Sequence, residues 1–277
     1  MNNTRFPLIS VIVPTYNQAA YLPICLDSVM FQEYPRIEIV VVNDCSPDNT
    51  TEVMKQYLTA YKEETVSYAC NYDQASETVE RCEHFRFPQE GRTLKLIEHR
   101  QNRGLSHALN TGMEQATGEL VTFIASDDLL LPSMLTELAQ AIVENEADFA
   151  YADMHIVDDA GRILRRFSLP DYSFENSFCH WYLLGICKLY KKQLHAVSGW
   201  YDPDILPQDH DMYQRFAEDG ARMVHVPKVL ANARIHDKDR QVHNHSPAAW
   251  SKLYQQSAEL VLRARAHAQG MEKDTAK

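Results

Sequence analysis

Short apolar runs alternate with helical segments through the first half of the chain, and this alternation constrains the fold more than any other feature. The runs are rich in Val, Ile or Leu and end at polar turn residues: 8–13, 37–42, 94–98 and 120–125. Such runs predict buried strands. The segments that follow carry apolar residues at helical spacing: 21–31, 48–61, 104–116 and 132–145. The alternation predicts an α/β fold with a mainly parallel central sheet flanked by helices.

The pattern changes after Asp148. Residues 149–157 and 162–167, joined by a turn, predict a hairpin. Further elements are predicted as strands at 185–190 and 223–226, helices at 191–197 and 208–219, and a closing amphipathic helix at 248–268. Residues 65–92 are polar and too long for a routine connection. We interpret them as an insertion whose structure the pattern does not specify.

The composition excludes some classes of partner. The balance of 27 basic and 38 acidic residues gives a net charge of −11, which argues against a nucleic-acid surface. A nucleotide is compatible with this charge, because a metal ion bridges a diphosphate to carboxylates. No run approaches the roughly 18 apolar residues of a membrane span, and the start lacks a basic-then-apolar leader. We therefore expect a cytoplasmic protein whose closest approach to a bilayer is peripheral association with its inner face.

The six cysteines form no C-x-x-C pair and no dense framework, which argues against a zinc site or a disulfide scaffold. We expect reduced thiols. A disulfide between Cys70 and Cys82, which share one polar segment, is the alternative.

Polar residues follow four of the predicted strands, where each strand ends. In a sheet of this type ligands lie beyond the carboxyl ends of the strands. The groups at these ends are Pro14-Thr15-Tyr16-Asn17, Asn43-Asp44, Asn102-Arg103-Gly104 and Ser126-Asp127-Asp128. We expect them to line a single rim.

Four segments, taken in order, resemble those of family-2 inverting glycosyltransferases with the GT-A (nucleotide-diphospho-sugar transferase) fold. They read "ISVIVPTYNQAAYLPICLDSV", "IEIVVVNDCSPDNT", "NRGLSHALNTGMEQATGELVTFIASDD" and "SGWYDPDILPQDHDMYQRFAEDG". The resemblance covers about residues 8–240. It implies metal-dependent transfer of a hexosyl group from a nucleotide-sugar, with UDP as the expected nucleotide, to a hydroxyl of a glycan or lipid-linked saccharide, as in polysaccharide biosynthesis.

The resemblance also implies a domain organisation. A glycosyltransferase domain would occupy residues 1–245, with a nucleotide-binding half at about 1–128 and an acceptor-binding half at about 129–245. Residues 246–277 would form a C-terminal helical extension. The oligomeric state is not specified by the sequence.

Tyr16 and Asp44 are the residues expected to recognise the base. The ring of Tyr16 offers a face for uracil, and the carboxylate of Asp44 offers an acceptor for its N3–H. The alternatives are a core aromatic for Tyr16 and a turn former or helix cap for Asp44. Other nucleotide contacts are implied at Pro14, Asn17, Asn43 and Arg103, although Arg103 could equally be a solvated arginine.

The adjacent acids Asp127 and Asp128 occupy the place of the family's D-x-D signature. Two such carboxylates are costly unless a cation neutralises them. The resemblance implies Asp128 as a ligand of Mn²⁺ or Mg²⁺ and Asp127 as a partner of the ribose hydroxyls. His236, in a late Arg-x-His, would reach the metal or the diphosphate. The alternatives are a helix-capping acidic pair and a structural histidine.

Asp209 aligns with the catalytic base of the family. An inverting transfer requires a base on the face opposite the leaving diphosphate. Asp211 is the competing candidate, with a role in the first helical turn as its alternative. Trp200 and Tyr201 sit where the acceptor site begins, and a core role is equally open for them.

Two positions depart from the family pattern. Gln208 stands where many relatives have Glu, and Asn43 where many have Asp. These losses of negative charge motivate a rival hypothesis, a catalytically silent scaffold or sensor that binds a nucleotide-sugar.

Overall fold

A nine-stranded sheet forms the centre of the computed structural model, which describes residues 6–236 and 247–275. Its strands are β1 (Ile9–Thr15), β2 (Ile37–Asn43), β5 (Arg92–Glu98), β6 (Leu120–Phe123), β7 (Leu129–Leu130), β8 (Phe149–Val157), β9 (Ile163–Phe167), β10 (Lys188–Lys191) and β11 (Met223–Arg234). A separate two-stranded sheet contains β3 (Thr65–Asp73) and β4 (Thr78–Phe85).

Helices flank the central sheet. They are α1 (Leu22–Met30), α2 (Thr50–Glu63), α3 (Leu105–Gln115), α4 (Met134–Glu144), α5 (Leu194–Ser198), α6 (Gln208–Glu218) and α7 (Pro247–Thr275). A single π-helical turn spans Glu175–Cys179. The α/β class predicted from the alternation is confirmed.

The strands of the first half form the parallel part of the sheet. β1 pairs in parallel with β2 and β6, and β2 pairs in parallel with β5. Every residue of β1 and β2 is buried, as expected for strands covered on both faces. Helix α3 lies close against β1 because Gly112 has no side chain: a Cβ atom there would overlap the side chain of Ile12. The parallel strands hold their carboxyl ends at a common edge.

The second half of the sheet is mixed in direction. β10 is antiparallel to β6 and β8, β11 is parallel to β8, and β7 and β9 are antiparallel to their neighbours. The sheet is therefore mainly parallel only in its first half.

Strand β11 is longer than its apolar pattern predicts. The pattern predicts a strand that ends at Val226, and the next residue, Pro227, cannot donate a ladder hydrogen bond. The strand continues to Arg234 through register shifts between Val226 and Val229 and between Val229 and Ala231, so that the irregularity accommodates the proline. This extension carries Arg234 and His236 to the rim of the sheet.

The predicted insertion at 65–92 contains the β3–β4 hairpin. Its strands pair in an antiparallel ladder, and β4 is exposed along nearly its whole length. Cys70 and Cys82 of the hairpin are thiols that form a hydrogen bond with each other rather than a disulfide. The expectation of reduced thiols agrees with this arrangement.

Helix α7 packs against α6 and the π-helical turn. Leu260, Val261 and Ala264 are buried, and the side chain of Gln214 donates to the carbonyl of Leu260. Arg263 adds ion pairs to α6. Within the described ranges, no helix is long and apolar enough to cross a bilayer.

Candidate active site

Asp44 ties two strand ends to the start of α3. Its backbone N–H donates to the carbonyl of Thr15 (3.0 Å), which joins β2 to β1. Its carboxylate accepts the backbone N–H groups of Arg103 (2.9 Å) and Gly104 (2.7 Å) and contacts Nδ1 of His99 at 2.6 Å. Only 3% of Asp44 is exposed. The carboxylate therefore holds the loop that leads into α3, a structural role close to the capping alternative.

Tyr16 and its neighbours form the surface beside Asp44. Tyr16 is 46% exposed, so its ring is available to a ligand. Asn17 has a left-handed backbone (φ 56°), and its N–H donates to the hydroxyl of Ser46. Asn43 is buried, accepts the N–H of Ser46 and donates to Thr51. The side chain of Asn43 thus shapes the turn after β2.

The other two predicted nucleotide contacts differ in accessibility. Pro14 is buried in β1 opposite Val42. Arg103 is exposed, and its guanidinium lies 3.3 Å from Nδ1 of His107. Arg103 is placed to meet a solvent-side ligand, whereas Pro14 supports the strand end.

The acidic pair after β6 lies against the end of β11. Nε2 of His236 is 2.7 Å from an Asp127 oxygen, and its Nδ1 is 2.5 Å from Asp159. Asp128 accepts the backbone N–H of Arg234 at 2.8 Å. The guanidinium of Arg234 donates to the carbonyls of Asp127 and Asp159. The contacts bring Asp127, Asp128 and His236 together, with Asp127 as the neighbour of the histidine.

Asp128 is a buried carboxyl group with a raised pKa. Burial, followed by the charge of Asp127, raises its pKa to about 7. Lys188 opposes this rise through its charge. A buried acid pair of this kind is short of positive charge, which an added cation would supply.

The donor set suits a hard divalent cation. Carboxylate oxygens with one imidazole match the preferences of Mn²⁺, and carboxylates alone those of Mg²⁺. In the described part of the chain no three such side chains are arranged as a metal site, and Asp127 and His236 contact each other instead. The chemistry of the groups fits the predicted ion, and Asp127 belongs to the same cluster as the predicted ligands Asp128 and His236.

Asp209 opens helix α6 and faces a buried lysine. Nζ of Lys188 lies 2.9 Å from Oδ2 of Asp209, and Lys188 is fully buried. The ammonium also lies 4.0 Å from the ring centroid of Phe123 and 5.2 Å from that of Tyr213. The second oxygen, Oδ1, is buried and has no hydrogen-bond partner among the described residues. Asp209 therefore keeps one free acceptor.

Lys188 acts on both Asp209 and the acidic pair. It pairs with Asp209 and lowers the pKa of Asp128 through its charge. Gln18, from the loop after β1, donates to Asp127 at 3.1 Å. Asp209 and Asp128 therefore share one charged neighbour.

The neighbours of Asp209 in α6 have structural roles. Asp211 is buried and pairs with Arg215 at 2.8 Å and with Arg263 at 3.2 Å. Oδ1 of Asp211 attaches α7 to α6 through Arg263, and Oδ2 pairs with Arg215 within α6. Asp211 therefore fits the structural alternative better than the role of a base.

Trp200 lies at the other end of the strands. Its ring stacks on His195, with centroids 5.1 Å apart, and it is 41% exposed. It lines a cavity of about 1160 Å³ together with Pro7 and Glu119. Pro7 precedes β1, whereas the acidic cluster lies past its carboxyl end. This placement does not support the acceptor role, which stays a prediction.

Tyr201 is part of the core. It is 2% exposed, and its hydroxyl contacts those of Tyr190 (3.3 Å) and Tyr213 (3.0 Å). Its backbone N–H donates to Asn110 of α3. These contacts agree with the core alternative stated for this residue.

Several site residues were missed by the sequence interpretation. They share a position next to a predicted site residue: His99, Asp159, Lys188 and Arg234. Lys188 carried the clearest available signal, since it is a lone lysine within the apolar run "GICKLY".

The sequence of this chain is similar to those of known glycosyltransferases. The model of the family "Glycosyl transferase family 2" matches residues 10–69 and 72–196. Glycosyltransferase GlyA of Streptococcus pneumoniae is 33% identical over 170 residues, which are 61% of this chain and 20% of GlyA. The uncharacterized glycosyltransferase EpsJ of Bacillus subtilis is 24% identical over 262 residues, 89% of this chain and 64% of EpsJ. The chain thus spans less than two thirds of either relative.

Solved structures share the fold. TarS of S. aureus, in complex with UDP-GlcNAc, has a TM-score of 0.60 at 24% identity, over 82% of this chain and 59% of that one. The mannosyltransferase PcManGT of Pyrobaculum calidifontis, in complex with GDP-Man and Mn²⁺, has a TM-score of 0.60 at 21% identity, over 99% and 76%. With the family model matching well over half of its residues, this chain belongs to glycosyl transferase family 2 and has the GT-A fold.

Proposed function

We propose that this protein is an inverting glycosyltransferase that moves a hexosyl group from a nucleotide-sugar to a hydroxyl of a glycan or lipid-linked saccharide. The observation that carries the proposal is the state of Asp209. Lys188 holds Oδ2, the side chain of Asp209 keeps 22% of its surface exposed, and Oδ1 has no hydrogen-bond partner among the described residues. A carboxylate in this state, in the same region as the acidic pair, suits general-base catalysis.

The chain's own residues supply the proton transfer in this proposal. The carboxylate of Asp209 takes the proton of the acceptor hydroxyl as the hydroxyl oxygen attacks the anomeric carbon from the face opposite the diphosphate. A positioned base of this kind contributes roughly 10²–10⁴-fold.

Asp127, Asp128 and His236 would hold a divalent cation. When bound, Mn²⁺ or Mg²⁺ would neutralise charge on the leaving diphosphate. The raised pKa of Asp128 and the contact between Asp127 and His236 support this assignment. Asp127 would in addition contact the ribose.

A UDP-sugar is the proposed donor. Tyr16 offers an exposed ring for the base, and Asp44 would combine its structural role with acceptance of the uracil N3–H. Pro14, Asn17 and Asn43 would shape this subsite, and Arg103 would approach the diphosphate. Complexes of the structural neighbours contain UDP, UDP-GlcNAc or GDP-Man, so GDP-mannose is the comparison donor.

The test combines binding with turnover. Calorimetry with UDP and GDP, each with and without Mn²⁺, measures the nucleotide preference. Hydrolysis of UDP-hexoses and GDP-mannose, with and without EDTA, measures chemistry without a known acceptor. The proposal expects metal-dependent UDP binding and turnover that EDTA abolishes. Metal-dependent binding with neither hydrolysis nor transfer to any of a panel of saccharide acceptors would instead favour the silent scaffold.

A further inference from the structure

Lys188 is a fully buried cation in the middle of the sheet. It begins β10, the strand between β6 and β8, and pairs in register with Tyr151. A buried ammonium is costly unless a partner compensates its charge. Asp209 at 2.9 Å provides the opposite charge, and the Phe123 ring below it adds a cation–π contact. The lysine is therefore held in one place from two sides.

The groups around the Lys188–Asp209 pair come from several elements. Asp209 and Tyr213 belong to α6, Phe123 belongs to β6, and Asp128 follows β6. The hydroxyls affected by the charge of Asp209 are those of Tyr182, Tyr190, Tyr201 and Tyr213. Burial raises the pKa of each of these tyrosines, so all stay neutral. Among the described residues, Lys188 is the one cation in ion-pair contact with Asp209.

The contact with Lys188 gives the two carboxylate oxygens of Asp209 different surroundings. Lys188 meets Oδ2 and leaves Oδ1 without a partner in the described chain. Two torsions fix an aspartate side chain, so anchoring one oxygen also fixes where the other points. Because Lys188 has no exposed surface, it does not itself meet a substrate.

We propose that Lys188 is a positioning residue: it is the charge partner of Asp209 and fixes the direction in which the Asp209 carboxylate faces the acceptor hydroxyl. The inference rests on the proposed role of Asp209 as the base. In the absence of the cation, burial favours the neutral acid, which accepts no proton. A purely structural lysine would affect folding but would not govern the pH at which the base works.

The experiment is a pH–rate profile of donor hydrolysis or transfer from pH 5 to 9 for wild type and three variants. Lys188→Met removes charge and hydrogen bond, Lys188→Gln removes only the charge, and Lys188→Arg keeps it. The acid limb of the profile is the fall of kcat at low pH. The two neutral variants are expected to move this limb to higher pH by about one unit or more, since an opposite charge lowers the pKa of a neighbouring carboxyl group by one to three units. At pH values below the wild-type limb each unit of displacement lowers kcat about tenfold, and the loss disappears at high pH. Lys188→Arg keeps the limb in place.

A matched control comes from the same strand. Lys191→Met removes a lysine that pairs with Asp148 at 2.8 Å, away from Asp209, and is expected to leave the limb unchanged. Donor affinity, measured by calorimetry, should stay within about twofold of wild type in every variant, because Lys188 has no exposed surface.

The outcomes separate the possibilities. An equal loss of kcat at every pH in both neutral variants would overturn the inference in favour of a structural role. Were both neutral variants to lose their folded state, Lys188→Arg would decide, because a displaced limb in that charged variant also overturns it. Full activity of Asp209→Asn would instead refute the proposed base, whatever the Lys188 variants do.

Discussion

Asp128→Asn is expected to stabilise the metal-free protein, and increasingly so as the pH rises. The folded pKa of Asp128 is about 7, against an ordinary value of 3.8. An acid whose pKa is raised by folding contributes stability at low pH that is lost as the pH rises toward the folded pKa. Asn stays neutral at every pH, and its side-chain oxygen can still accept the N–H of Arg234.

The size of the effect follows from the two pKa values. One pKa unit corresponds to 1.36 kcal/mol, so the variant's advantage is roughly 2 kcal/mol at pH 5 and roughly 4 kcal/mol at pH 7.5. The difference between the two pH values, roughly 2 kcal/mol, is the quantity to measure. Contributions of groups that titrate equally in both proteins cancel in this comparison.

Urea unfolding in EDTA at pH 5 and 7.5 measures the free energy of unfolding of both proteins. Asp204→Asn, at an exposed carboxylate, serves as the control and should show little change at either pH. Addition of Mn²⁺ should stabilise wild type more than Asp128→Asn. An advantage that is equal at both pH values, or a wild type more stable than the variant at pH 7.5, would refute the reasoning.

Three further predictions concern the base, the nucleotide loop and the packing of α3. Asp209→Asn should lower kcat by roughly 10²–10⁴-fold, with the donor Kd from calorimetry unchanged; a loss confined to donor affinity would contradict this. Asp44→Ala removes the acceptor for two backbone N–H groups at Arg103 and Gly104, so it should weaken UDP binding by calorimetry about tenfold, roughly the 1–3 kcal/mol of unsatisfied donors; an unchanged Kd would contradict it. Gly112→Ala should lower the free energy of unfolding by about 1–3 kcal/mol because its Cβ overlaps Ile12; a stability equal to wild type in urea unfolding would contradict it.

The parallel half of the fold could be predicted because local pattern and tertiary environment agree there. The β-branched runs of β1 and β2 are buried on both faces, and the intervening helices begin and end within a few residues of the expected positions. Their polar ends meet at one edge for topological reasons, since parallel strands share a carboxyl edge.

Other elements depend on pairing that no local pattern records. β11 passes Pro227 because β8 offers a long partner, and its two register shifts absorb the irregularity. The β3–β4 hairpin is polar and exposed, so it lacks the alternation that marks a half-buried strand. A tyrosine such as Tyr201 suits either the core, through its ring, or a binding site, through its hydroxyl. The buried contact of its hydroxyl with that of Tyr213 distinguishes the two roles, and this contact is not visible in the sequence.

The partners of the site residues were the least predictable part. Lys188 is 21 residues from Asp209 and His236 is 109 residues from Asp127. Which charges meet depends on how β10 and β11 dock, and this is a property of the whole sheet. Residue types at strand ends predicted the location of the site, but not the ion pair that defines the state of Asp209.

A crystal structure with UDP and Mn²⁺, with the ion located by its anomalous scattering, tests the central claim most directly. We expect Mn²⁺ between the diphosphate and the cluster of Asp127, Asp128 and His236, with the carboxylate of Asp209 facing the sugar side of the same cleft. Mn²⁺ bound elsewhere, or a nucleotide separated from Asp209 by protein, would contradict it.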